Sequence, residues 1–326
     1  MIFSKHNYTF FVIGCNGQDG SLIVEKLISQ GFEVIGLGRS SSSFSKCESS
    51  HFTYISGDAN DKNIINMILK KYSPKRIIHA AAIHGSSGFD YESNWKELIN
   101  LNLGVVSTLM EYARDVSDSH VTYLSSSKTL DFNHGIVNEL TARKSNCPYS
   151  IVKNASTDII NYYREKWQIS GSVLWLFNHE SSRRSVNYFL PKLAMTIANS
   201  YISKDYRTDF TSFDFFADWS CAEFISKAIV NTANRGLNED FVFASGQTWY
   251  AADLAIKAFQ EFGLDVHKHT NLKRTEISVN QSAPWQVNTS KAEKYLNFKN
   301  CPDALTTCIK IAKDFISNPH ENSNSD

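Results

Sequence analysis

Tyr149 and Lys153 stand four residues apart in the stretch YSIVK, a spacing that puts both side chains on one face of a helix. A free phenol has a pKa of about 10, too high for a base at neutral pH. A neighbouring ammonium favours the phenolate and moves that value towards the working range. The stretch SSSKTL at 125–130 follows the apolar, strand-like VTYL. Ser127, at the end of that strand, can hydrogen-bond the substrate hydroxyl that Tyr149 deprotonates. Such a set can oxidise an alcohol, provided that a hydride acceptor lies alongside.

The first strand supplies the place for one. It runs into GCNGQDG, with glycines at 14, 17 and 20. A glycine triplet is specific when it follows a strand, opens a helix and begins a βαβ unit, as here. Gly14 permits the tight turn, Gly17 lets the backbone approach a pyrophosphate at the helix N-terminus, and Gly20 allows close helix–strand packing. Asn16, Gln18 and Asp19 lie within the same loop and count as candidate cofactor contacts. The second strand ends in GLGRSSSS. An NAD-preferring site usually puts an acidic residue there; this chain has Arg39 followed by Ser40. Arg39 can pair with a 2′-phosphate, so NADP(H) is favoured, with NAD(H) possible. Asp58, with Ala59 after the third strand, can accept from the adenine amino group or cap a helix, and both readings stay open. Ala81 and Ala82 end the fourth strand at the same cleft. Lys153 can also hold the nicotinamide ribose.

The elements that must position these groups follow a regular order. Strand candidates at 9–14, 33–38, 52–56, 76–82, 121–125 and 172–177 alternate with helical patterns at 21–30, 63–72, 95–114 and 149–167. Near-continuous apolar strands in such alternation predict an α/β fold, a doubly wound parallel sheet of the Rossmann type. After 177 the pattern loosens into a helix (189–202), a hairpin-like stretch, a helix (220–233), a strand (239–245) and further helices. This predicts a smaller α/β C-terminal lobe: 1–177 bind the dinucleotide, 213–247 return to that domain, 178–212 and 248–318 bind substrate, and 319–326 form a disordered tail. Lys+Arg and Asp+Glu balance at 33 each, which gives no electrostatic argument for nucleic acid or an anionic membrane. No segment has the ~18 apolar residues of a membrane span. The six cysteines form no C-x-x-C pair and no metal spacing, so free thiols, no metal and a cytoplasmic location are expected.

Three stretches carry a resemblance: GQDGS at 17–21, YREKW at 163–167 and LFNHESSRR at 176–184, with weaker echoes in DW (218–219), EDFVFASG (239–246) and TSKAEKYLNF (289–298). Over residues 8–315 the chain resembles the extended short-chain dehydrogenase/reductases that act on nucleotide sugars, and within them is most similar to the GDP-mannose 4,6-dehydratase family. The resemblance implies that His179 and Arg184 contact the cofactor, that Asn102 faces it, and that the protein is a homodimer or homotetramer. It also exposes departures. In that family a glutamate two residues beyond the serine/threonine serves the elimination step; aligned from the preceding tyrosine, Thr129 takes its place, and a hydroxyl is a poor base for a C–H proton. If the strand end shifts by one residue, Lys128 takes over the proton transfer. Ala217 and Pro191 stand where relatives often carry basic residues, which leaves Lys192 and Arg274, with Asn178 and His84, as candidate substrate contacts. Glu139 reads as structural. The expected activity is oxidation, reduction or epimerisation at hexose C4 in sugar-precursor biosynthesis. A dehydratase with a substitute base and a non-catalytic cofactor-binding protein are the alternatives.

Overall fold

The computed structural model describes residues 9–43, 49–132, 135–273 and 283–318. In chain order the strands are β1 (Thr9–Ile13), β2 (Glu33–Gly38), β3 (Phe52–Ser56), β4 (Arg76–His79), β5 (His120–Ser126), β6 (Gly135–Val137), β7 (Ser170–Leu176), β8 (Asn178–Glu180), β9 (Phe216–Cys221), β10 (Phe241–Phe243), β11 (Thr248–Tyr250) and β12 (Trp285–Val287). The helices are α1 (Gln18–Ser29), α2 (Lys62–Tyr72), α3 (Trp95–Ile99), α4 (Val105–Asp115), α5 (Pro148–Trp167), α6 (Phe189–Ile202), α7 (Ala222–Arg235), α8 (Ala251–Gln260), α9 (Val266–His269), α10 (Ser290–Leu296) and α11 (Ala304–Ser317). Arg274 and the tail at 319–326 lie outside the described residues.

Seven strands form one parallel sheet in the order β10-β7-β5-β4-β1-β2-β3. Apolar residues of β1, β5 and β7 are buried on both faces, as a sheet covered by helices on two sides requires. One core packs Phe11, Ile13, Val121 and Tyr123 against α2, α4 and α5. The other packs Phe10, Val12, Leu174 and Phe243 against α1 and α7. Strand order reverses between β1 and β4, so a crevice opens at their C-terminal ends. A third core, with Leu193, Phe210, Trp219, Leu254 and Ile311, is built by α6, α8 and α11. A three-stranded sheet, β11-β9-β8, lies beside it. The hairpin-like stretch expected near 210 is instead β9, antiparallel to β11 and parallel to β8.

Two local departures from the periodic pattern matter for the crevice. The fourth strand stops at His79 rather than running to 82, because Ala81 passes against the glycine loop. The helix expected over 95–114 is interrupted by a π turn at Asn100–Gly104. There the Asn102 side-chain amide donates to the Leu98 carbonyl at 2.8 Å, the acceptor that Asn102's own N–H would use in an unbroken α-helix.

At the crevice, glycine is required twice. Gly14 has φ +85°, and a Cβ there would lie 2.6 Å from the Ala81 Cα. A Cβ on Gly20 would lie 2.1 Å from the Gly14 carbonyl oxygen. Both obstacles are backbone, so neither can step aside. Gly20→Ala is expected to lower the thermal unfolding midpoint by several degrees and to abolish dinucleotide binding, measured by scanning fluorimetry with and without NADP(H).

Candidate active site

A cleft of about 540 Å³ lies at the C-terminal edge of the sheet, within the size of small-ligand sites. Asp19 of the glycine loop, Ala80, Ala82, Leu124, Ser125, Ser126, Tyr149 and Lys153 line its inner end. Phe189, Lys192, Phe210, Ser212 and Trp219 of the second lobe line its outer end. Gly17 is the N-cap of α1 and no side chain caps that helix start, so its first N–H groups remain free for an anion. The cradle that a Cβ would fill and this free helix end fit a dinucleotide pyrophosphate.

Tyr149 and Lys153 project from α5 into the inner end, both buried. Burial holds the Tyr149 phenol above its ordinary value, against a hydrogen bond from Ser126. Burial also lowers the Lys153 ammonium to about 7. Lys153 Nζ donates to the Leu124 carbonyl at 2.7 Å, a contact that favours its charged form against burial. The hydroxyl that meets the phenol is that of Ser126, not Ser127. A 3₁₀ turn at Ser127–Thr129 begins directly after Ser126, which turns Ser127 away; it is 9% exposed and does not line the cleft. Thr129 is fully buried and its hydroxyl donates to the Ser126 carbonyl at 2.7 Å. Lys128 does line the cleft. Its Nζ donates to the Tyr91 hydroxyl at 3.2 Å, and burial lowers its pKa. The buried Ser125 hydroxyl faces the same space with no partner among the described residues.

A polar clamp closes the cleft's floor. Burial alone would raise the Asp19 carboxyl, but His179 Nε2 at 2.9 Å, with Arg184 and Gln18, holds it at about 2. Burial opposes the His179 cation, and Asp19 outweighs it and raises the imidazole pKa. Gln18 donates to the His179 carbonyl at 3.0 Å and accepts from Ser181 at 3.0 Å. Glu180 is buried in the cleft wall and its pKa is raised by that burial. It faces Arg184 at 3.4 Å, an ion pair without hydrogen-bond geometry.

The family model for GDP-mannose 4,6-dehydratase matches residues 11–302. The chain belongs to that family. It is 26% identical over 272 residues to GDP-mannose 4,6-dehydratase 2 of Caenorhabditis elegans, covering 77% of this chain and 70% of the relative. It is also 26% identical over 280 residues to the human GDP-mannose 4,6-dehydratase, covering 77% and 72%. Among solved structures, an epimerase from Methanothermobacter thermautotrophicus superposes with a TM-score of 0.77 at 18% identity, over 99% of this chain and 96% of that one. UDP-glucose 4-epimerase from Brucella ovis, in complex with NAD, superposes with a TM-score of 0.74 at 17% identity, over 95% and 98%. The chain is therefore an enzyme of the NAD(P)-dependent epimerase/dehydratase type within the short-chain dehydrogenase/reductases.

Within the family's pattern the remaining candidates fall in different places. Arg39 is exposed beyond β2, and the Ser40 carbonyl accepts from Ser56 at 2.9 Å. Asn16 donates to the Tyr54 hydroxyl and the Ser42 carbonyl, each at 3.0 Å. Asp58 accepts from the Asn60 N–H at 3.0 Å, while the cap of α2 is Asp61; Ala59 is buried beside it. Asn102 is buried behind the cleft and accepts from the Tyr123 hydroxyl at 2.8 Å. Asn178, His84 and Lys192 line the cleft, and Lys192 Nζ donates to the Asp209 carbonyl at 2.6 Å. Ala217 and Pro191 are buried. Glu139 accepts from the Val242 N–H at 2.9 Å, which secures the edge strand. No helix among the described residues is long and apolar enough to cross a membrane.

Tyr91 and Tyr188, which carry no sequence signal, complete the site beside the expected His84. The rings of Tyr91 and His84 stand 5.4 and 5.2 Å from that of Tyr149. The Tyr188 hydroxyl lies 3.2 Å from His84 Nδ1, and Arg184 lies over the Tyr188 ring at 3.9 Å. These aromatic residues come from loops and from the start of α6, where no periodicity points to the cleft.

The clamp gives a pH signature. Asp19 is lowered from 3.8 to about 2, so its contribution is present above 3.8 and lost as pH falls towards 2. His179 is raised from 6.5, so its contribution is complete below 6.5 and lost as pH rises through its folded value. The difference in unfolding midpoint between the wild type and Asp19→Asn should peak between these limits, near pH 5, and shrink on both sides. A difference that does not vary with pH would refute the pairing.

Proposed function

We propose that this enzyme transfers hydride at C4 of a nucleotide-linked hexose, in net reduction, oxidation or epimerisation, with NADP(H) favoured over NAD(H). The observation that carries the reading is the meeting of Ser126, Tyr149 and Lys153 at the inner end of the cleft, with Thr129 buried away from it. In this reading the first N–H groups of α1 hold the pyrophosphate, Arg39 meets the 2′-phosphate, and Lys153 takes the nicotinamide ribose. The cofactor supplies the hydride acceptor. Ser126 orients the C4 hydroxyl and Tyr149 removes its proton. Because burial alone favours the neutral phenol, its deprotonation would rely on the Lys153 ammonium and on the positive charge that an oxidised nicotinamide would supply. Lys192 and Asn178, at the outer end, meet the nucleotide phosphates.

A second reading rests on Lys128. Counted from Ser126 rather than Ser127, the residue two positions on is Lys128, the spacing at which the family carries its glutamate. Its amine, with a pKa lowered by burial, is a candidate base for the C5 proton and would turn the same C4 ketone towards elimination of water.

Incubation of the purified enzyme with GDP-, UDP-, CDP- and dTDP-hexoses and either cofactor separates the readings by product mass. Isomeric products, or a change of two hydrogens, are expected. A product lighter by one water that disappears in Lys128→Ala would replace the first reading with the second. Ser126→Ala is expected to cut kcat by about 10²-fold and Tyr149→Phe by more, with Ser127→Ala within a few-fold of wild type.

A further inference from the structure

We propose that Tyr123 is a positioning residue for Lys153: its ring face seats the ammonium, and its hydroxyl locks that ring to the π turn through Asn102. The proposal rests on the Tyr149–Lys153 reading above for its catalytic meaning, but its geometry stands apart from it. Lys153 is 1% exposed and forms no ion pair with a carboxylate among the described residues. Its Nζ donates to the Leu124 carbonyl and lies nearer the Tyr123 ring, 4.5 Å from the centroid, than the Tyr149 ring at 5.7 Å. A desolvated cation over an aromatic face gains more than an exposed one. The carbonyl can satisfy one N–H, so the ring face is what makes a buried, unpaired ammonium tolerable.

A tyrosine that only filled space would need no hydroxyl here. The Tyr123 hydroxyl is fully buried and donates to Asn102 Oδ1 at 2.8 Å, while the Ser156 hydroxyl, three residues beyond Lys153, donates to the Val152 carbonyl at 2.9 Å. Asn102 spends its amide on Leu98, the contact that opens the π turn. Ring and π turn are thus tied together beside the ammonium. The titratable groups facing Lys153 from the surrounding elements are His79 of β4, His84 after β4, Tyr123 of β5 and Tyr149 of α5. His79 hydrogen-bonds the Leu101 carbonyl through Nε2 at 2.7 Å, and its burial together with Lys153 lowers its pKa to about 3. It therefore stays neutral and does not compete for the ring.

The test reads Lys153 directly, by the pH titration of its carbon-13-labelled side chain in the full-length protein, with the signal assigned by its loss in Lys153→Met. Tyr123→Phe keeps the ring and should leave the midpoint within a few tenths of a unit. Successive fluorination of that phenylalanine ring, which weakens its negative face without changing its shape, should lower the midpoint stepwise. Tyr123→Leu should lower it by about one unit, and the alkaline limb of the kcat profile should move down with it. A midpoint indifferent to fluorination would overturn the proposal even if Tyr123→Leu failed to fold. If the midpoint moves as expected but Tyr149→Phe turns over normally, the catalytic reading fails and the seat for Lys153 stands.

Discussion

The cleft exists because the start of α1 is bolted to the segment that follows β7. Along NHESSRR, His179 meets Asp19, Ser181 meets Gln18, and Arg183 reaches Ser21 and Glu25 at 2.9 and 2.7 Å. Asn178, His179 and Glu180 of β8 line the cleft, as does Arg184 after a turn in which its N–H donates to the Ser181 carbonyl at 3.1 Å. One short stretch therefore both fixes the glycine loop and contributes to the cleft wall. A loop that must hold an anion with backbone N–H groups cannot use its own side chains for rigidity, so the rigidity has to come from outside. The buried Asp19–His179 pair supplies it, at a desolvation cost that close charge contact and several hydrogen bonds offset.

The fold was legible because its signals are local and redundant. Gly14 and Gly20 are imposed by backbone approaches that any side chain would block, and the apolar runs of β1, β5 and β7 leave few alternatives to a buried parallel sheet. The dyad was legible for the same kind of reason, since a four-residue spacing on a helix survives any small error in helix ends. The position of the serine was not. Ser125, Ser126 and Ser127 are chemically identical, and the choice among them depends on where β5 ends and the 3₁₀ turn begins. That point is set by the Ser126 hydroxyl accepting from the Lys128 N–H at 3.2 Å, a contact with no periodic signature. The π turn was hidden likewise, because apolar spacing over 95–114 averages across a single displaced residue. Tyr91 and Tyr188 converge on the expected His84 only through tertiary structure.

The distribution of protonable groups then narrows the chemistry. Both carboxylates that line the cleft, Asp19 and Glu180, face cations already within the protein. The phenols of Tyr91, Tyr149 and Tyr188 are held above their ordinary value by burial, and burial with nearby cations lowers His84 to about 3. Around neutral pH these groups can donate or accept hydrogen bonds, but none is an available strong base. This part of the cleft is thus walled by neutral aromatic groups, which suits the proposed reaction, in which proton traffic stays on one hydroxyl.

Redox at C4 and elimination across C5–C6 share their first intermediate, the 4-ketone, and part company only over the next proton. Re-reduction needs the proton returned along the path by which it left, through Tyr149. Elimination needs a second base at C5 and an acid at the leaving hydroxyl. Lys153 Nζ donates to the Leu124 carbonyl, and the buried Thr129 hydroxyl donates to the Ser126 carbonyl. Under the two proposed readings, Lys128, whose Nζ donates to the Tyr91 hydroxyl at the cleft wall, is the side chain on which that partition would turn. An amine tethered to an aromatic hydroxyl is a different catalyst from a carboxylate: it loses basicity when protonated at neutral pH and regains it when desolvated. In the proposed readings the outcome would therefore depend on how completely a bound sugar excludes water around Lys128, rather than on the residue types alone.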